Sequence, residues 1–340
     1  MTDTTDSINT LNWPRFKAMI DEAQTILLVS HIRPDGDAIG SQIAMAKALQ
    51  DYGKQVILVN GHHVSPNIRF IDPDFMIKKW ADLTDQEKGE LNNVDLLISL
   101  DTRSWAQLGD MAALFRSCPA KKMVLDHHFK GDDIGAEYFI NSSADSTGSL
   151  VFQAIETLGL PLRYEYAFPI YVAIATDTGW FRFSSVTAET YRTVAKLVDV
   201  GVRPDEVYRL AYEQESLGRL KLIGIALAHV EPFLEGKGMF TFLTQKDFDE
   251  AGALPSDSED IVNQTLMVAG TEIAVIMVEQ KTGGFKLSFR SRCALDCSEL
   301  AACFGGGGHK KAAGAGIALP FEEARAKILQ KTEQLYRQCR

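Results

Sequence analysis

Apolar positions along the first two thirds of the chain alternate between short β-rich runs and longer stretches with helical spacing. Residues 12–23 put Phe16, Met19 and Ile20 on one face and Pro14 in the first turn, which predicts a helix. Thr25–Val29 reads as a short apolar strand, 38–50 as an amphipathic helix that tolerates Gly40, and Gln55–Asn60 as a second strand after a stop at Gly53. Residues 94–100, VDLLISL, form a continuous apolar run of the kind buried on both faces of a sheet, and 121–125 form another strand. Helices are predicted over 149–158, 164–176 and 187–200, because the run AFPIYVAIAT is too long for a strand. Residues 204–230 keep helical periodicity through Val207, Leu210, Leu217, Leu220, Ile223 and Leu227.

After Glu231 the pattern changes. Residues 238–244 and 272–279 are β-rich, 285–290 alternates as a half-buried strand does, helices are expected near 258–268 and 298–304, and a last amphipathic helix starts near Pro320. The fold class that follows is α/β. A mainly parallel sheet flanked by helices occupies residues 1–200, a helical connector 201–232, and a smaller α/β domain with a mixed sheet 233–340.

Composition narrows the class without deciding it. At 340 residues, 46% hydrophobic and 24% charged, the chain is an ordinary globular one with room for two domains. It holds no apolar run long enough to cross a membrane, and its polar, acidic first ten residues resemble neither a secretory nor a transit signal and read as a frayed tail. Five cysteines without a regular framework fit a reduced, cytoplasmic setting. A net charge of −10 disfavours a stable duplex DNA partner, although local basic groups or bound cations still attract a phosphate.

Chemistry enters at the strand ends. The first strand runs into HIRPDGD, with His31, Asp35 and Asp37; Asp101 follows the third; Asp126, His127 and His128 follow the fourth; Asp177 follows the long apolar run. Gly36 is expected to let the backbone turn so that the carboxylates on either side converge. A single Asp after a strand often caps a helix, but three strand ends carrying carboxylate or imidazole point to one site. Oxygen and imidazole donors without thiolate select Mn²⁺ or Mg²⁺, and four carboxylates with two imidazoles exceed what one ion needs, so two divalent cations are expected. His62 and His63, in a loop without carboxylate neighbours, read as surface residues.

A second constellation lies in the C-terminal third. Gly306, Gly307 and Gly308, within a run of four glycines, precede His309 and Lys310, and no Walker pattern is present. Such a run allows backbone N–H groups to cradle an anion, and Arg290 and Arg292 can add phosphate contacts; the alternative is a turn followed by a small-residue helix. Cys293, Cys297 and Cys303 lack a paired C-x-x-C knuckle and read as free thiols rather than zinc ligands.

HIRPDGDAIGS at 31–41, LDT at 100–102, LDHH at 125–128, TDTGWFRF at 176–183, and FRSR followed by GGGGHKKAAG at 305–314 resemble, in order, the motifs of the DHH phosphoesterase family. The glycine-rich motif is similar to that of its nanoRNase subfamily, the oligoribonuclease and phosphoadenosine phosphatase enzymes. The resemblance implies that His31, Asp35 and Asp101 hold one Mn²⁺ and that Asp37, Asp101, His127 and Asp177 hold a second, with Asp101 bridging. It also implies that Asp126 orients a ligand, that His128 faces the scissile phosphate as proton donor, and that the C-terminal domain grips a nucleotide end. Gln107 stands where relatives often carry a basic residue, and Arg103 is the expected substitute in that loop. The function expected is hydrolysis of short oligoribonucleotides or linear dinucleotides to nucleoside monophosphates and of 3′,5′-phosphoadenosine to AMP. Competing expectations are a cyclic-dinucleotide phosphodiesterase, a pyrophosphatase or exopolyphosphatase, and a nucleotide sensor without turnover. The partners implied are a short RNA or nucleotide substrate and no membrane, and a homodimer is compatible with the sequence.

Overall fold

In the computed structural model, which describes residues 7–339, the sequence-predicted alternation becomes a layered α/β architecture. The first unit runs α1 (Trp13–Glu22), β1 (Thr25–Val29), α2 (Gly36–Asp51), β2 (Gln55–Asn60), β3 (Ile77–Lys79), α3 (Asp85–Glu90) and β4 (Leu96–Leu100). It continues through α4 (Trp105–Leu108), α5 (Met111–Ser117), β5 (Lys121–Asp126), β6 (Glu137–Ile140), α6 (Thr147–Thr157), α7 (Tyr164–Asp177), α8 (Ala188–Asp199) and α9 (Pro204–Tyr212). Among the described residues its sheet has six parallel strands in the order β3-β2-β1-β4-β5-β6. The order reverses between β1 and β4, with Ile26 paired to Leu96.

The continuous apolar strands are explained by cover on both faces. Ile26 and Leu28 of β1 join Ile39 and Ile43 of α2 in one core, while Leu27 and Val29 join Leu114 and Phe115 of α5 in the other. Fully burying each such side chain contributes roughly 1.5–3 kcal/mol. Gln42, fully buried in α2, donates to Leu28 O and Asn60 Oδ1 and accepts from Asn60 Nδ2, so its amide is paired on both atoms.

The division between the two compact units falls between Gln214 and Glu215. The periodic stretch 204–230 is therefore not one helix: α9 ends at Tyr212, and α10 (Leu217–Ala228) begins after Ser216, whose side chain accepts from Arg219 N. The second unit adds β7 (Glu231–Phe233), β8 (Gly238–Leu243), α11 (Gln245–Ala251), α12 (Ile261–Thr265), β9 (Ile273–Glu279) and β10 (Phe285–Ser291). It closes with α13 (Cys297–Ala302), β11 (Gly307–His309), β12 (Ala312–Ile317) and α14 (Phe321–Gln338). Its six described strands form a mixed sheet, β11-β12-β10-β9-β8-β7, in which only β8 and β9 pair in parallel.

Two expectations change, and one alternative falls. The small-residue stretch after the glycines is the strand β12, not a helix, because it pairs residue for residue with β10 from Phe285↔Ile317 to Arg290↔Ala312. The helix expected near 258–268 shrinks to the five residues of α12. Of the expected tail, residues 1–6 lie outside the described residues, whereas 7–10 are tied to the sheet edge. Thr10 N donates to Ile140 O, and Asn9 bridges Asn141.

Candidate active site

Each group of the N-terminal set hangs from the carboxyl end of a strand or an adjoining helix end. Sheets of this order bind ligands in the crevice where the strand order reverses, here beside β1 and β4. His31 follows β1, Asp101 follows β4, and Asp126 ends β5 with His127 and His128 behind it. Asp35 caps α2, Asp37 sits in its first turn, and Asp177 is the last residue of α7. Gly36 serves these groups differently from the expectation. A Cβ there would lie 2.4 Å from Thr176 Oγ1, and one on Gly40 would lie 2.4 Å from Pro169 O. The glycines let α2 lie directly on α7, and that contact carries Asp177 to Asp37.

The structure brings the predicted ligands into interlocking sets. One ligand atom each from His31, Asp35 and Asp101 lie within 4.8 Å of one another, and so do one each from Asp37, His127 and Asp177. His127 Nε2 links them, 3.7 Å from Asp37 Oδ2, 3.7 Å from Asp101 Oδ1 and 3.5 Å from Asp177 Oδ2. Asp101 adopts φ 63°, a left-handed conformation that costs a non-glycine residue energy and is concentrated at functional sites.

The hydrogen bonds behind the histidines decide how well a cation fits. His31 Nδ1 lies 2.9 Å from Ile32 O and His127 Nδ1 lies 3.3 Å from Ala144 O. A carbonyl only accepts, so each Nδ1 donates, and each Nε2 is left facing carboxylate oxygens, at 3.3 Å from Asp101 Oδ2 in the case of His31, the orientation of a metal-ligating imidazole. That orientation suits a cation placed between the imidazoles and the carboxylates. Protonation shifts tell the same story. Burial first, and then Asp37 and Asp35, hold the Asp101 carboxyl well above the usual range; burial raises Asp37; burial and Asp37 push Asp177 up to about 6. A divalent ion among them reverses each of these penalties.

Thr147, which gave no motif signal, holds two of the candidate ligands at once. Its N–H donates to Asp37 Oδ2 at 2.8 Å and its hydroxyl to Asp101 Oδ1 at 2.8 Å, while Gly148 N donates to Asp37 Oδ1 at 2.8 Å. Asp37 therefore sits on the N-terminus of α6, where backbone N–H groups favour an anion. Buried Asp145 anchors that turn by accepting from Ser146 Oγ at 3.0 Å, Ser149 Oγ at 2.5 Å and the Thr190 hydroxyl.

Asp126 is fully buried and stands behind His128: its Oδ1 accepts from His128 Nδ1 at 2.8 Å, which pushes the imidazole up to about 9. The His128 side chain is 55% exposed. A cavity of about 320 Å³ is lined by His31, Asp101, Arg103, Gln107, His128 and Lys130, among others. Lys130 also escaped sequence reasoning; a lone lysine two residues past a His pair carries no spacing signal.

The C-terminal residues belong to the second unit. Arg290 is engaged there by Asn263 Oδ1 at 3.0 Å and Asp260 Oδ1 at 3.3 Å, and Arg292 by Leu266 O at 2.9 Å. Gly307, Gly308 and His309 form the exposed edge strand β11, followed by exposed Lys310. Gly308 adopts φ 147°, and a Cβ on Gly306 would lie 2.1 Å from Gly314 O, so strand packing accounts for two of the glycines. Burial pushes the Cys297 thiol up to about 12, a group that stays protonated at neutral pH.

Residues 25–175 match the DHH family, N-terminal domain, and residues 237–338 match the DHHA1 domain. A Thermus thermophilus protein named bifunctional oligoribonuclease and PAP phosphatase NrnA is 30% identical over 313 residues, covering 91% of this chain and 89% of that protein. The chain belongs to the DHH family. A Bacillus subtilis protein of the same name is 27% identical to this DHH chain over 315 residues, 92% of it and 94% of the relative. The crystal structure of an exopolyphosphatase-related protein from Bacteroides fragilis superposes with a TM-score of 0.79 at 27% identity, covering 95% of each chain. As a DHH protein this chain is a metal-dependent phosphoesterase, and its His and Asp clusters supply donors suited to divalent ions. Among the described residues, no helix of the DHH protein is long and apolar enough to cross a membrane.

Proposed function

We propose that this DHH phosphoesterase hydrolyses short oligoribonucleotides and linear dinucleotides to nucleoside monophosphates, and 3′,5′-phosphoadenosine to AMP. The observation that carries the reading is the convergence of two imidazole Nε2 atoms and four carboxylates beside a cavity open to a phosphoester. The names of the Thermus and Bacillus relatives support the nucleotide class. Two divalent cations, which we assign as manganese, would be held by His31, Asp35 and Asp101 and by Asp37, Asp101, His127 and Asp177. Bound there, they lower the pKa of water and neutralise charge on phosphoryl oxygens.

The chain's own groups do the rest. Thr147 and the α6 N-terminus orient Asp37 and Asp101, and Ile32 O and Ala144 O orient the two imidazoles. Asp126 holds the His128 Nδ1 proton, so an imidazolium raised to about 9 keeps Nε2–H to donate to the leaving oxygen. His309, Lys310, Arg290, Arg292 and the glycines 306–308 of the second unit are assigned to the nucleotide.

The test is release of mononucleotide from a 5′-phosphorylated RNA dinucleotide with manganese. It is run beside 3′,5′-phosphoadenosine, a cyclic dinucleotide, pyrophosphate and polyphosphate. Asp101→Ala is expected to abolish turnover while the protein remains folded by circular dichroism. Faster turnover of polyphosphate than of any nucleotide would overturn the substrate assignment, a reading to which the Bacteroides structure gives weight.

A further inference from the structure

The cavity beside the metal-ligand cluster holds two basic side chains, and their surroundings differ. Arg103 is committed to the protein: its Nη2 donates to Phe129 O at 2.7 Å, and its Nε faces buried Asp126 Oδ2 at 3.8 Å. Neither Arg103 Nε nor Asp126 Oδ2 has a hydrogen-bond partner, so the two depend on each other for charge balance. Arg103 also shapes the loop it holds, since a Cβ on Gly131 would lie 2.2 Å from Arg103 Cγ. That loop is tied down again where Asp132 N donates to Arg103 O at 2.8 Å and Asp132 Oδ2 accepts from Trp105 N at 2.8 Å.

Lys130 rides on this anchored loop. It is exposed, lines the cavity, and has no hydrogen-bond or ion-pair partner among the described residues. Charge counting then separates the two cations. Asp35, Asp37, Asp101 and Asp177 balance two divalent ions, and Arg103 balances Asp126. What remains to attract an anion into the cavity is His128 and Lys130. Gln107, on the same wall, is neutral.

We infer that Lys130 is the phosphoryl-binding cation of this cavity, donating to a non-bridging oxygen of the bound phosphoester, and that Arg103 is a positioning residue for Asp126, His128 and the 128–132 loop. This assigns the substrate contact to a residue the motifs do not contain and withdraws it from Arg103. It rests on the proposed phosphoester hydrolysis. A single free ammonium suits the one negative charge of a phosphodiester linkage, whereas an inorganic chain of phosphates brings more charge than these two groups match.

Steady-state kinetics on the 5′-phosphorylated RNA dinucleotide with saturating manganese tests the inference. Lys130→Gln is expected to raise KM about tenfold or more with kcat little changed, as loss of one charge-assisted hydrogen bond does. Lys130→Arg retains most of the affinity, and calorimetric manganese affinity is unchanged in both variants. Lys122→Gln, which removes a lysine outside the cavity, controls for the overall field. A KM for Lys130→Gln within about twofold of wild type, or an equal rise in Lys122→Gln, would overturn the inference. Wild-type protein that turns over none of the nucleotides sinks the proposed function instead, so the two failures are distinguishable.

Discussion

Thr147 shows how much of the site depends on a single residue behind the carboxylates. Its N–H and hydroxyl reach two different carboxylates, so it fixes the orientation of Asp37 and Asp101 relative to each other. Thr147→Val keeps the shape and the N–H but loses the hydroxyl, and manganese affinity measured by calorimetry is expected to fall roughly tenfold to a hundredfold, with Thr147→Ser restoring it. Unchanged affinity would show that Asp101 is held by other means. For His128→Asn the expectation is a fall in kcat of about a hundredfold or more at unchanged manganese affinity, measured by initial rates on the dinucleotide. The cluster was legible in the sequence because carboxylates and imidazoles ended three separate strands. Thr147 and Lys130 were not, because a threonine before a helix reads as a capping signal and a lysine in a loop as a solvated one. Only the folded chain shows what each faces.

At the scale of elements, the site depends on α2 and α7 meeting backbone to backbone. Gly40→Ala tests this contact, because helix propensity and packing predict opposite signs. Propensity favours alanine by about 1 kcal/mol, but the new Cβ would sit 2.4 Å from Pro169 O and 3.0 Å from Ala173 Cβ, and overpacking of this kind costs about 1–3 kcal/mol. The variant is expected to be less stable in urea and to bind manganese more weakly, since Asp177 ends the displaced helix. Higher stability would mean that α7 shifts freely. The sequence read α7 as buried because its apolar run is long and unbroken, and β4 as buried on both faces for the same reason. It missed β3, β6 and β12 because IKK and EYFI are too short for a period and AAGAGI carries little hydrophobic signal. Those strands are defined by pairing with neighbours, which local pattern does not record.

For the molecule as a whole, the clustered carboxylates trade stability for binding capacity. Asp37, Asp101 and Asp177 are all raised in the folded state, Asp177 to about 6, whereas an unfolded Asp titrates near about 3.9. The folded protein thus holds protons that the unfolded chain has lost, so this contribution is fully present below about pH 4 and disappears as pH rises through the folded values. Metal-free Asp101→Asn is accordingly expected to melt above metal-free wild type at pH 7.5, by at least roughly 2–4 °C, with the gap closing toward pH 4. Scanning calorimetry in chelator reads this directly, and a variant that melts at or below wild type at pH 7.5 would contradict it. The charge balance invoked for the cavity and the hydrolysis itself both require that the same carboxylates hold two ions. The most direct measurement is therefore anomalous diffraction at the manganese edge, together with metal content per chain. Two peaks are expected, one among His31, Asp35 and Asp101 and one among Asp37, Asp101, His127 and Asp177, both lost in Asp101→Ala; no peak, or a peak elsewhere on the chain, would contradict the account.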